Sequence, residues 1–290
     1  MFAAAQSSAP SAASAPAYAP GELVRFGNTG MFRNLLPSAV VEAQSGVEYG
    51  QIVERARAEG RLLPATDPRV DRVRAIAQRI APFANKWSDR VKDWRWEVNV
   101  VSSQRIDIVC LPGGKILVYS GLLDRIRLRD DELGVLFGHQ IAHALREQVR
   151  ERLAQQATGL GPSPMPQLFG VAEFYGTPAS APTIDTPLAP IQYDATDETE
   201  ADVIGGDIAA RAGFDPRAAV PLWDKLANAT RHNEDGFILA HPYSEARRND
   251  IIKRLPDKLE LYAKARGVSV DQLPPYWAKR STSDSVGRAR

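Results

Sequence analysis

Residues 134–148 read GVLFGHQIAHALREQ. Val135, Leu136, Ile141, Ala142 and Leu145 spread apolar side chains around nearly every side of a helix, and a helix apolar all round is a buried one. Set into it are His139 and His143, four residues apart and therefore on one face, one turn from each other. Two neutral imidazole nitrogens at that spacing can grip a single metal ion. The spacing alone is equally at home in surface or core histidines that have nothing to do with metal. Burial changes the balance, because two unliganded imidazoles among apolar side chains would need other hydrogen-bond partners. A metal is the simpler account, and it requires a third ligand from elsewhere in the chain.

The candidate is Glu198, which opens ETEAD (198–202). In a helix Glu198 and Asp202 share a face, so one carboxylate can reach the metal while the other buttresses a ligating histidine. By itself Glu198 reads as an exposed acid at a helix start. With His139 and His143 it completes two histidines and one glutamate, the ligand set of catalytic zinc sites with an open fourth position. Zinc peptidase helices of this spacing carry a glutamate after the first histidine as general base; this chain has Gln140.

The 290-residue chain, 44% hydrophobic, can bury a large core. Its 36 basic and 35 acidic side chains leave a net charge of +1, with no asymmetry that points to nucleic acid or an anionic membrane. A single cysteine, Cys110, rules out an internal disulfide framework. No apolar run approaches the ~18 to 20 residues of a membrane-spanning helix; association with a membrane in the cell stays open, with no spanning segment of its own in this chain. The Ala, Ser and Pro-rich residues 1–21 read as a disordered tail or as the region after a removed export signal, and the balance leans to a periplasmic or otherwise exported protein, the cytoplasm staying open.

The expected class is α+β, mainly helical, with the buried HxxxH helix packed on a small, mostly antiparallel sheet. One or two amphipathic helices are expected within residues 22–64, followed by a helix from Pro68 with Val70, Val73, Ile76, Ile80 and Phe83 on one face. Strands are expected at 94–103, 106–111 and 115–120, with PGG (112–114) as the turn between the last two. A short helix then precedes a long one from 130 to about 156. Residues 157–196, dense in Pro and Gly, form either a lid over the metal or a disordered loop without a gating role. Further helices follow DETEAD, DPRAAV (Asp215 as N-cap, Pro216 in the first turn) and SEARRND, the last running as one helix to ARG (265–267). Residues 22–278 are expected to form one domain, and 279–290 a disordered tail.

GHQIAHALRE, followed some fifty residues on by ETEADVIGGDIAARAGFDP, resembles the HtpX-like and CAAX-prenyl-protease-like zinc metallopeptidases, gluzincins whose pattern is HExxH, then ExxAD, then AG[FY]DP; the likeness is greatest to the soluble periplasmic members. CLPGGKILVYSGLL (110–123) is similar to that family's PGG hairpin beside the active site, and HPYSEAR (241–247) to its HP…R motif. The resemblance covers roughly residues 48 to 265, motifs in order. It implies zinc on His139, His143 and Glu198, with Asp202 supporting a ligand. It also implies that His241 gates the metal or contacts the transition state and that Arg247 lines the same pocket. The strand including Ile106 to Leu111 would pair with an extended polypeptide substrate, and protein quality control is the implied role.

The departures carry equal weight. Gln140 stands where the family has its general base, and a neutral amide can hydrogen-bond water but cannot accept its proton at neutral pH. Asp107 and Ile108 replace an Asn-Ala pair before the PGG turn, and Ala195 falls where an arginine often precedes the ligand glutamate. Three readings follow: a zinc metalloendopeptidase inactivated or strongly impaired by Gln140, a pseudoprotease that binds zinc and polypeptide without turnover, and a helical scaffold with incidental histidines.

Overall fold

The computed structural model describes residues 37–148, 193–231 and 237–276. The expected tails and almost all of the expected 157–196 lid lie outside the described residues.

Helix α1 (Ser38–Ala58) lies over the sheet, with Val41, Tyr49, Val53 and Ala56 buried. Helix α2 (Pro68–Ala84) starts where the local chemistry dictates: the Asp67 carboxylate accepts the Arg69 N–H at 2.9 Å and Pro68 occupies the first turn, where its missing donor costs nothing. Val70, Val73, Ile76, Ala77, Ile80 and Ala84 form its buried stripe.

Strands β1 (Glu97–Val101), β2 (Ile108–Leu111) and β3 (Lys115–Tyr119) form a sheet in the order β1-β3-β2. β2 and β3 are an antiparallel hairpin with Cys110 opposite Ile116. Its turn needs two residues with positive φ, and Gly113 (87°) and Gly114 (79°) supply them without a Cβ penalty. β1 joins the far side of β3 in parallel, Val98 opposite Ile116. The helix-dominated α+β class therefore holds, while the sheet is mixed rather than mostly antiparallel: the 102–107 connection carries the chain across β3 before the hairpin returns it between the two outer strands.

Helix α3 (Ser120–Arg125) leads into α4 (Asp130–Leu145), which packs on α2 and β2. Every residue from Glu132 to Leu145 in α4 is buried, as an all-round apolar helix requires. Glu132 closes the first turn by accepting the Arg129 N–H at 2.7 Å, and Lys225 neutralises its buried carboxylate at 2.8 Å. The helix does not run unbroken toward residue 156: it caps at Arg146, and Glu147 turns left-handed with φ 53°.

Helix α5 (Ala195–Arg211) is capped by Asp194, whose side chain accepts the N–H groups of Thr196 and Asp197. After a single 3-10 turn (Pro216–Ala218) capped by Asp215 comes α6 (Ala219–Thr230), then α7 (Phe237–Ala240), α8 (Glu245–Lys253) and α9 (Leu255–Arg266). The expected single helix after Ser244 is two, broken at Arg254, because Pro256 has no N–H to donate and its ring would strike the carbonyl one turn back. Among the described residues no helix is long and apolar enough to cross a membrane.

Candidate metal centre

Helices α4 and α5 meet backbone to backbone. A Cβ on Gly138 would lie 2.4 Å from the Gly205 carbonyl oxygen, and one on Gly205 would lie 2.5 Å from the His139 nitrogen. Only two hydrogens in place of two side chains allow this approach. From that crossing the contacts step in opposite directions along the two helices. His139 meets Asp202, with Nδ1 to Oδ1 at 3.0 Å, and one turn further His143 meets Glu198, with Nε2 to Oε1 at 3.5 Å.

The donor atoms face one point. His139 Nε2 and His143 Nε2 are 3.0 Å apart, and His139 Nε2 is 3.6 Å from Glu198 Oε2. His241 Nδ1 lies 2.9 Å from Glu198 Oε1 and 3.4 Å from His139 Nε2. One atom from each of these four buried residues falls within 4.8 Å of the others.

The proton positions follow from the partners. His139 Nδ1 faces the Asp202 carboxylate and His143 Nδ1 faces the Gln148 amide oxygen at 2.6 Å, so both rings carry their proton on Nδ1 and turn a bare Nε2 inward. Two bare lone pairs 3.0 Å apart beside a carboxylate repel one another unless a cation lies between them. A proton is a poor substitute: burial first, and then the facing His143, push the His139 imidazolium down to about 3. Burial alone would raise the Glu198 carboxyl, but the facing His241, His139 and His143 hold it well below the usual carboxylate range. Glu198 Oε2 accepts no properly aimed hydrogen bond, though the Arg247 guanidinium abuts it. Tetrahedral zinc with nitrogen ligands at ~2.0 to 2.1 Å would set nitrogen–nitrogen separations near ~3.3 Å, which the 3.0 to 3.6 Å spacings among the two Nε2 atoms and Glu198 match. The cluster can hold a metal.

Arg247 serves both carboxylates from below. Its Nε and Nη2 donate to Asp202 at 2.7 and 2.9 Å, Nη1 donates to the Pro242 carbonyl at 2.9 Å, and the guanidinium lies 3.9 Å over the Trp223 ring. Burial would raise Asp202, but Arg247 and the His139 N–H bring it down to about 2, keeping it an anion toward His139. Gln140, also buried, points its Nε2 at His241 Nε2 across 3.0 Å. Arg105 pairs with Asp107 at 2.5 Å, and Ile108 is core.

Three neighbours of the site escaped the sequence reading. Trp223 packs edge-on to His139 with ring centres 4.8 Å apart, Tyr193 stacks on His143 at 3.7 Å, and Gln148 meets His143. None carries a local pattern of its own: Gln148 and Tyr193 reach the site from just beyond the ends of α4 and α5, and Trp223 from within α6.

Comparison with known proteins agrees with this arrangement. A model of "Peptidase family M48" matches residues 68–255, more than half of the chain. Over 220 residues the chain is 29% identical to the mitochondrial metalloendopeptidase OMA1 of Saccharomyces cerevisiae, covering 69% of this chain and 60% of that protein. It is 26% identical over 227 residues to the mitochondrial metalloendopeptidase OMA1 of Bos taurus, 75% of this chain and 43% of that one. With the beta-barrel assembly-enhancing protease of Escherichia coli (strain K12) it shares 27% identity over 169 residues, 53% of this chain and 33% of the other. The chain thus spans no more than 60% of the length of any of these three. By the family match over residues 68–255, with a buried histidine–glutamate cluster at its centre, the chain belongs to the metallopeptidases of peptidase family M48.

Proposed function

We propose that this chain is a zinc-dependent metalloendopeptidase acting on proteins, unfolded or misassembled ones foremost, and that Gln140 abolishes or strongly impairs its turnover. The observation that carries this reading is the pair of bare Nε2 atoms, on His139 and His143, turned toward Glu198 in a buried site whose outer ring nitrogens are both already satisfied. His139, His143 and Glu198 would hold the zinc, and Asp202 would orient His139. Bound zinc supplies Lewis acidity and brings the pKa of water at the site to around 7.

The remaining chemistry falls to the chain's own side chains. Gln140 donates to His241, so its amide is held against that ring, and it has no means of taking a proton from attacking water. His241, its Nδ1 donating to Glu198, stands over the site as a gate or as a contact to the developing oxyanion; Arg247 keeps Glu198 and Asp202 ionised beneath it. β2 is an outer strand packed beside α4, the position from which an extended polypeptide can add to the sheet. The relatives, a metalloendopeptidase and an assembly-enhancing protease by name, support a polypeptide substrate.

The second reading, a pseudoprotease that binds zinc and polypeptide without turnover, is favoured by the Gln140–His241 contact, which occupies the amide where a base is needed. Metal analysis after dialysis tests what both readings share. One zinc per chain is expected; a chain that emerges without stoichiometric zinc is a helical scaffold, and both readings fall.

A further inference from the structure

Helix α4 ends in a turn that costs energy and places one side chain. Leu145 is its last residue, and Glu147 takes φ 53°, the left-handed region where a Cβ crowds the backbone. Among the described residues it is the one non-glycine there. The turn brings Gln148 back beneath the helix, 2% exposed, with its Oε1 2.6 Å from His143 Nδ1. Its Nε2 faces two oxygens, the Asp197 carbonyl and Glu200 Oε2, both at 3.4 Å. Arg146 in turn fixes Glu200 through two bonds, at 2.7 and 2.6 Å.

Two oxygens on one side of an amide decide which end is which. The NH2 must point toward them, so the carbonyl oxygen must point at the imidazole. His143 then has no choice but to protonate Nδ1 and leave Nε2 bare. We propose that Gln148 is a positioning residue: it sets the tautomer and ring orientation of His143 for metal binding, and it ties the end of α4 to the first turn of α5, which carries Glu198. The inference rests on the zinc reading above, and the left-handed Glu147 beside Gln148 marks a turn held in place by its surroundings.

The test compares the full chain with Gln148→Leu and Gln148→Glu. Zn²⁺ affinity is measured by competition with a chromophoric chelator, and the ring ¹⁵N shifts of His143 are read in the metal-free proteins. Gln148→Leu removes the acceptor, and its Zn²⁺ affinity should fall ~10- to 100-fold, the usual cost of losing a partner of a ligating histidine. Gln148→Glu keeps an oxygen opposite Nδ1–H, and its second oxygen, which faces Glu200 Oε2 and the Asp197 carbonyl, is accommodated by a proton shared with Glu200, so this variant should keep more of the parent affinity than the leucine variant. The parent should show His143 protonated at Nδ1, and Gln148→Leu a mixture of tautomers. Equal Zn²⁺ affinity in parent and Gln148→Leu overturns the proposal, as does a Gln148→Glu variant that loses as much as the leucine variant. Should Gln148→Leu fail to fold, the glutamate variant and the parent tautomer decide: a parent His143 protonated at Nε2 overturns it. A parent that takes up no Zn²⁺ sinks the zinc reading itself.

Discussion

Gln140→Glu raises casein cleavage by the zinc-loaded chain at least ~10²-fold, the lower end of what a positioned general base contributes. Gln140 is 3% exposed and sits one residue from His139, so a carboxylate there enters a site already built around it. The amide now donates to His241 Nε2 at 3.0 Å. A carboxylate cannot donate, so it either draws a proton onto that ring or turns away from it, and in both cases it becomes an acceptor for the proton of attacking water. Zinc affinity should change little, since position 140 holds no ligand. If the substituted chain binds zinc and still leaves casein intact, the sequence departures at Asp107, Ile108 and Ala195 have dismantled the cleft, and the pseudoprotease reading replaces the impaired enzyme.

Gly205→Ala should be strongly damaging for so small a substitution. Its new methyl would lie 2.5 Å from the Gly138 carbonyl carbon, 2.5 Å from the His139 nitrogen and 2.6 Å from its Cα. These are backbone atoms in the buried run of α4 and cannot swing aside as a flexible side chain would, so α4 and α5 must part. Overpacking of this kind costs about 3 kcal/mol, which in a domain of this size lowers the thermal midpoint by roughly 6 to 12 °C. The same separation moves His139 away from Asp202 and Glu198, so zinc affinity should drop along with stability. Gly46→Ala is the control: nothing lies within 4 Å of its added Cβ, and a helix-interior glycine replaced by alanine should not lower the midpoint. Differential scanning calorimetry of the three proteins reads the result. A Gly205→Ala chain as stable as the parent would mean the helices do not approach as described.

Local rules were enough for the elements whose causes are local. Asp67 before Pro68, Asp215 before Pro216 and Ser244 before Glu245 each announce a helix start, and Gly113-Gly114 announces the hairpin. The same periodicity put His139 with His143 on one face and Glu198 with Asp202 on another, and the structure brings those two faces together. What was illegible depends on distant pieces of chain. The parallel pairing of β1 with β3 is a non-local choice that no strand pattern records. The end of α4 at Arg146 follows from a left-handed glutamate, a residue type that gives no warning of that conformation, and with it went the sight of Gln148. The break at Arg254 was readable in principle, since Pro256 stands in plain view within the expected helix. Trp223 gives no local sign of its place; only the fold shows its ring beneath Arg247 and against His139.

The proposed function stands on one ion shared by two helices. The most direct measurement is an anomalous difference map collected at the zinc edge on crystals of the full chain. A single peak about 2 Å from His139 Nε2, His143 Nε2 and a Glu198 oxygen is the predicted result. A map with no peak there, or a Glu198 side chain turned to solvent away from both rings, would contradict it.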